Sequence, residues 1–158
     1  MSTVEALPPE IRSVMLPVTR GQVLVPSTEL AEVITYARPD MVADSPRWLL
    51  GRVGWRGWRL PVVAFALWSG VADAEPADNT RVAILKALGG NPRLPFFGIL
   101  CHGFPRLTLV HEETLLASDA PLPPSGVRAQ VQVHDDLAWI PDLAAIEDAL
   151  LAALPPAG

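Results

Sequence analysis

Hydrophobic and polar residues alternate in short runs along this chain, and turn residues cut the runs every few positions. The clearest run is 127–134, where Val127, Ala129, Val131 and Val133 alternate with Arg128, Gln130, Gln132 and His134. That period predicts a strand with one buried and one wet face. Asp135-Asp136 turns it into a second apolar run over 137–140. Pro141-Asp142 then opens a closing helix, with Leu143, Ile146, Leu150 and Leu154 at helical spacing and Glu147 and Asp148 on the other side.

Earlier in the chain the same reading gives strands over 13–17 and 22–25, joined at Thr19-Arg20-Gly21. Pro26-Ser27-Thr28-Glu29 reads as a helix start, with Ser27 or Thr28 as cap and Glu29 at the positive end of the dipole. A short helix is therefore expected over 29–34. Loops are expected at 37–46, 69–79 and 89–92, strands at 81–85, 96–101 and 106–110, and an extended linker over 120–126. Pro8-Pro9 marks a loose leader over 1–11.

Two apolar runs, 49–55 and 58–65, flank a tight Arg56-Gly57 turn. Gly57 permits the positive φ that a short hairpin turn needs. The turn lifts Arg56 to the tip between Trp55 and Trp58. Alternation places Trp55 with Val53 and Gly51, and Trp58 with Leu60 and Val62, on largely apolar faces. A guanidinium keeps its charge and offers a planar fork of donors, which suits a protein partner and not proton transfer.

Composition narrows the class. Of 158 residues half are hydrophobic and 18% charged, enough apolar material for a core. Seventeen prolines and eleven glycines break long helices and favour short strands, so an all-β fold with short helices is expected. No apolar run reaches the length of a membrane span, which predicts no direct membrane insertion. The first nine residues lack a basic start and an apolar signal core, and a single cysteine suits a reducing cytoplasm. A net charge of −5 argues against a general nucleic-acid binder.

The hairpin resembles the signature of CheW-like domains, the coupling proteins of bacterial chemosensory arrays. That signature runs Gly-x-x-Asn-Leu-Arg-Gly, three residues, then Pro-Val-x-Asp-Leu; here Gly51, Arg56, Gly57, Pro61 and Val62 match it. Gly54 replaces the Asn, Trp55 the Leu, Ala64 the Asp and Phe65 the last Leu. Glu32-Val33 matches a Glu-Val pair that the family carries after its second strand. Cys101-His102-Gly103-Phe104 stands where the family has Val-Asp-x-Val at a bend, and Ile140-Pro141-Asp142-Leu143 matches its closing Asp-Leu step. The resemblance runs from about Ser13 to Leu154. It implies one CheW-like domain over 1–158, ordered over 13–154, built as two SH3-like five-stranded β-barrel subdomains that follow one another. It also implies a cytoplasmic adaptor between a methyl-accepting chemoreceptor and a chemotaxis histidine kinase, with Arg56, Gly57, Trp55, Trp58, Glu32 and Val33 as partner-binding residues. The kinase contact would use an apolar strand face of one subdomain. The departures fit a divergent member serving a pilus-linked or other alternative pathway.

Catalysis is the weaker reading. Adjacent strand residues point to opposite faces, so Cys101 and His102 do not form a thiolate–imidazole pair. Cys101 reads as core, His102 and His134 as surface or edge residues. The densest candidate for a metal, His134-Asp135-Asp136, sits at a turn where Asp serves the backbone. No phosphate-cradling glycine loop and no Gly-x-Ser-x-Gly elbow occur. No enzyme activity, cofactor or metal is expected. The alternative of another class is a small β-barrel nucleic-acid binder using Arg47, Arg52, Arg56 and Arg59 with Trp48, Trp55 and Trp58.

Overall fold

The computed structural model describes residues 10–76, 80–111, 116–117 and 125–155. Residues 1–9 of the leader expected over 1–11, Ala77, Asp78 and Asn79 of the 69–79 loop and most of the 120–126 linker lie outside these residues, whereas Glu10 and Ile11 of that leader belong to a strand. β1 (Glu10–Val18) and β2 (Gly21–Pro26) form the first hairpin, closed by the Val18–Gly21 pair.

The helix expected over 29–34 is absent. A single 3-10 turn, Ser27–Glu29, leads directly into β3 (Leu30–Thr35). Ser27 lies inside the turn, and Pro26 at the cap position makes no side-chain hydrogen bond. Val33, Ile34 and Thr35 are β-branched and favour extended backbone. β6 (Thr80–Lys86) supplies their ladder, from Leu30–Leu85 to Thr35–Arg81. A pairing partner some fifty residues away thus overrides a local helix-start signal.

β4 (Leu49–Trp55) and β5 (Trp58–Val63) form the second hairpin. β5 stops short of Phe65 because Ala64 caps a short helix, α1 (Phe65–Ser69), ended by Gly70 at φ 84°. One helical turn sends Phe65 and Trp68 to the same side, with ring centroids 6.0 Å apart, where they pack on the central core. β7 (Phe96–His102), β8 (Arg106–His111), the two-residue β9 (Leu116–Ala117), β10 (Val127–Val133), β11 (Asp136–Pro141) and α2 (Leu143–Ala153) complete the chain. Asp142 caps α2, its carboxylate accepting the Ala145 N–H at 3.0 Å.

The strands form two sheets, ordered β8-β1-β2-β11-β10-β9 and β3-β6-β7-β5-β4. Among the described residues only β2–β11 and β5–β7 pair in parallel. The subdomains are therefore two, but they do not follow one another. The chain leaves the first sheet through the Ser27–Glu29 turn and returns to it at the β7–β8 bend, where Gly103 has φ 107°. β1, β2 and β8 to β11 build the first sheet, and β3 to β7 build the second. The first sheet also has a sixth strand, short β9, and neither ladder closes into a barrel among the described residues.

Each sheet carries buried clusters on both of its faces. Between them lies a central core of Val14, Leu16 and Val23 from one side, Leu85, Phe97 and Ile99 from the other, and Ile146 and Leu150 from α2. The alternate residues of the same strands fill a second cluster (Met15, Leu24, Val110, Val131) and a third (Val62, Val82, Ile84, Leu100). This is why β6 and β7 read as continuous apolar runs instead of alternating ones.

Candidate partner-binding site

Trp55 and Trp58 are register partners, so Arg56 and Gly57 alone make the β4–β5 turn. Both have positive φ, 46° and 83°. That is the primed turn whose twist matches the strands, and it puts a non-glycine residue, Arg56, in the left-handed region. Gly51 answers a second demand. Its φ is 135°, and a Cβ there would stand 2.5 Å from the carbonyl oxygen of Asp40. The Asp40 and Arg52 backbones exchange hydrogen bonds of 2.9 and 2.8 Å beside it, so this glycine lets the loop strap onto β4.

Around the tip, one carboxylate organises two side chains. Glu32 Oε1 accepts from Arg56 Nη2 at 2.9 Å and from Trp55 Nε1 at 3.1 Å. The Arg56 guanidinium also lies 5.1 Å from the Trp55 ring centroid, within cation–π range. Phe96 backs both indoles, edge-on to Trp55 at 5.0 Å and tilted to Trp58 at 6.1 Å. Trp58 keeps 46% of its surface exposed, and the Arg56 side chain 70%. The result is a rigid aromatic platform carrying a permanently charged donor fork with most of its donors free.

The structure thus brings together Arg56, Gly57, Trp55, Trp58 and Glu32. Val33 does not join them. Glu32 is in register with Ile84 of the third cluster, whereas Val33 is in register with Ala83, on the central-core side of β3. Phe96 is the tip residue that the sequence reading missed. Its signal was the Phe96-Phe97 doublet, which sends one ring to each face of β7.

The other candidates behave as their surroundings dictate. Cys101 is fully buried, its Sγ 3.5 Å from the Ile99 carbonyl oxygen. Burial pushes its thiol up to about 12, against a smaller lowering by a backbone hydrogen bond at Ala83. A sealed, protonated thiol is no nucleophile. His102 is more enclosed than an edge residue, its side chain only 15% exposed, and Nε2 meets Glu75 Oε2 at 3.2 Å. The same oxygen accepts from Thr19 at 3.2 Å. His134 takes φ 55° in the exposed β10–β11 turn. No cluster of three or more His, Cys, Asp or Glu side chains suited to a metal occurs among the described residues.

Three of the four arginines of this region each have one acidic or carbonyl partner. Arg59 pairs with Asp40, Arg56 with Glu32, and Arg47 donates to the Asp73 carbonyl. Neutralising acids beside the arginines weaken the uncompensated positive face that phosphate binding needs. No helix among the described residues is long and apolar enough to cross a membrane.

Comparison with known proteins agrees with this architecture. No curated protein sequence matches the chain. Among solved structures, the scaffolding protein TtCheW from Thermoanaerobacter tengcongensis superposes with a TM-score of 0.71 at 14% identity, covering 90% of this chain and 91% of that one. At that identity the likeness speaks for the fold, and it embraces both sheets. The CheW-like domain pattern itself matches residues 12–150, from β1 into α2. With that match over most of its length, the chain belongs to the CheW-like domain family.

Proposed function

We propose that this protein is a non-catalytic adaptor that couples methyl-accepting chemoreceptors to a chemotaxis histidine kinase in the cytoplasm. Membership of the CheW-like family supports the reading. The observation that carries it to particular residues is the tip itself: Arg56 is positioned by Glu32 and Trp55 yet 70% exposed. Arginine and tryptophan on a rigid turn are what protein–protein hot spots are made of. Arg56, Trp55 and Trp58 make the receptor contact, Gly57 fixes the turn, and Glu32 holds the guanidinium. An apolar strand face serves the kinase; β8 offers Leu107, 79% exposed, and Leu109, 45% exposed, at an edge of the first sheet. Coupling then requires only that the adaptor bind two kinase–receptor states unequally. A pilus-linked or other alternative output is the finer form of the reading, motivated by the departures at Gly54 and Ala64.

A pull-down from the source organism's lysate tests this, wild type beside Arg56→Glu. A chemotaxis kinase or chemoreceptor should come down with the wild type, and the charge reversal should weaken the receptor contact in a still-folded protein. Recovery of nucleic acid, or of neither partner, would overturn the adaptor reading.

A further inference from the structure

The last helix grips the loop that supports the hairpin tip. Glu147, midway along α2, is only 6% exposed. Its Oε1 accepts the N–H of Gly89 at 2.8 Å and its Oε2 the N–H of Leu88 at 2.9 Å. Both belong to the β6–β7 connection. Arg93, further along that connection, donates to the carbonyl oxygens of Pro155 at 3.1 Å and Leu154 at 3.5 Å, just past the helix end. The connection is therefore held at two points. Next to Arg93, Leu94 is sunk in the central core.

The clasped segment leads straight into Phe96, the ring behind Trp55 and Trp58. A buried carboxylate is a costly way to fill space, and a leucine would pack at least as well. What Glu147 adds is a pair of acceptors for two successive loop N–H groups, which fixes the loop's placement against the helix. Because α2 continues from β11, this grip ties an element of the first sheet's chain to the exposed surface of the second.

We propose that Glu147 and Arg93 are positioning residues for the Trp55–Arg56–Trp58 surface: they hold the β6–β7 connection so that Phe96 keeps both indoles in place. The binding arm of the test rests on the adaptor reading above; the spectroscopic arm does not. Glu147→Gln and Arg93→Ala are compared with Asp142→Ala in the full chain. Asp142 caps the same helix through Ala145, so its removal weakens α2 without cutting the clasp. The readouts are the indole ¹H–¹⁵N resonances of Trp55 and Trp58, and the Kd for a chemoreceptor helical-tip fragment from the same organism.

Both clasp variants should shift the two indole resonances and weaken the fragment about fivefold. Asp142→Ala, though less stable, should leave both readings at wild-type values. Unmoved indole resonances in folded clasp variants, or equal shifts in Asp142→Ala, would reduce the clasp to a merely structural contact. If Glu147→Gln does not fold, Arg93→Ala, at an exposed site, decides the same question. If the wild type binds no receptor fragment, the adaptor reading fails, and the indole shifts alone decide the positioning role.

Discussion

Glu32 and Trp55 stand on the two outermost strands of the second sheet, β3 and β4, and are joined by a side-chain hydrogen bond of 3.1 Å. The backbone ladder stays open between those edges. The sheet curls until its rims touch, and an indole, a carboxylate and a guanidinium bridge the gap. Barrel closure here is a matter of side chains, and the same side chains present Arg56.

Removing the bridge should separate its structural from its electrostatic part. Glu32→Ala leaves the Trp55 N–H without its acceptor in a half-buried site, which costs about 1–3 kcal/mol. Glu32→Gln keeps an acceptor for the indole and loses only the ion pair to an exposed arginine, worth less than about 1 kcal/mol. Urea denaturation should rank wild type, then Gln, then Ala. Equal losses in the two variants would show that the indole bond contributes nothing.

The two signature glycines should differ in cost for different reasons. Nothing lies within 4 Å of a Cβ at Gly57, so Gly57→Ala pays for φ 83° alone, about 1–2 kcal/mol. Gly57→Asn should lose less, because asparagine tolerates that region. At Gly51 a methyl group meets the Asp40 carbonyl oxygen at 2.5 Å as well as an unfavourable φ, and backbone does not give way as a side chain does. Gly51→Ala should cost about 3 kcal/mol or more. Thermal unfolding of the three variants checks the order, and a Gly51→Ala protein as stable as Gly57→Ala would refute the strap.

What could be seen beforehand was what depends on neighbours in sequence. The Arg56-Gly57 turn, the Val127–Val133 alternation and the helix start at Pro141-Asp142 are local chemistry, and all three stand where the pattern puts them. β3 was misread because its helix-start signal is local while its β6 ladder is not. The interleaving of the two sheets was hidden for the same reason: the pattern gives strands, and no pattern tells Pro26 to cross over. At the site, Glu32 was picked out by resemblance alone. Its meeting with Trp55 needs the curl of the whole sheet, and the role of Phe96 needs the parallel β5–β7 pairing. Val33 followed Glu32 in the motif but faces the other way, as strand alternation requires.

A carboxyl group in the turn that leads into β3 should make stability depend on pH. Glu29 and Glu147 line one cleft with Leu143, Ile140 and Arg128. Burial, and then the charge of Glu147, raises the Glu29 carboxyl above the ordinary carboxylate range, and its Oε2 is buried without a hydrogen-bond partner. An acid whose pKa is higher in the folded state holds its proton more tightly there than in the unfolded chain. Its charged form therefore counts against folding at every pH above the folded pKa. That penalty fades as pH falls through the raised value towards the unfolded one, and below both it is gone. Glu29→Gln should accordingly raise Tm at pH 7 and give no gain at pH 3, where both proteins carry a neutral group. The difference in Tm between the two should hold above the raised folded pKa and shrink as pH falls from there to the unfolded value. A gain that is the same at both ends would mean that packing, and not charge, sets the cost of Glu29.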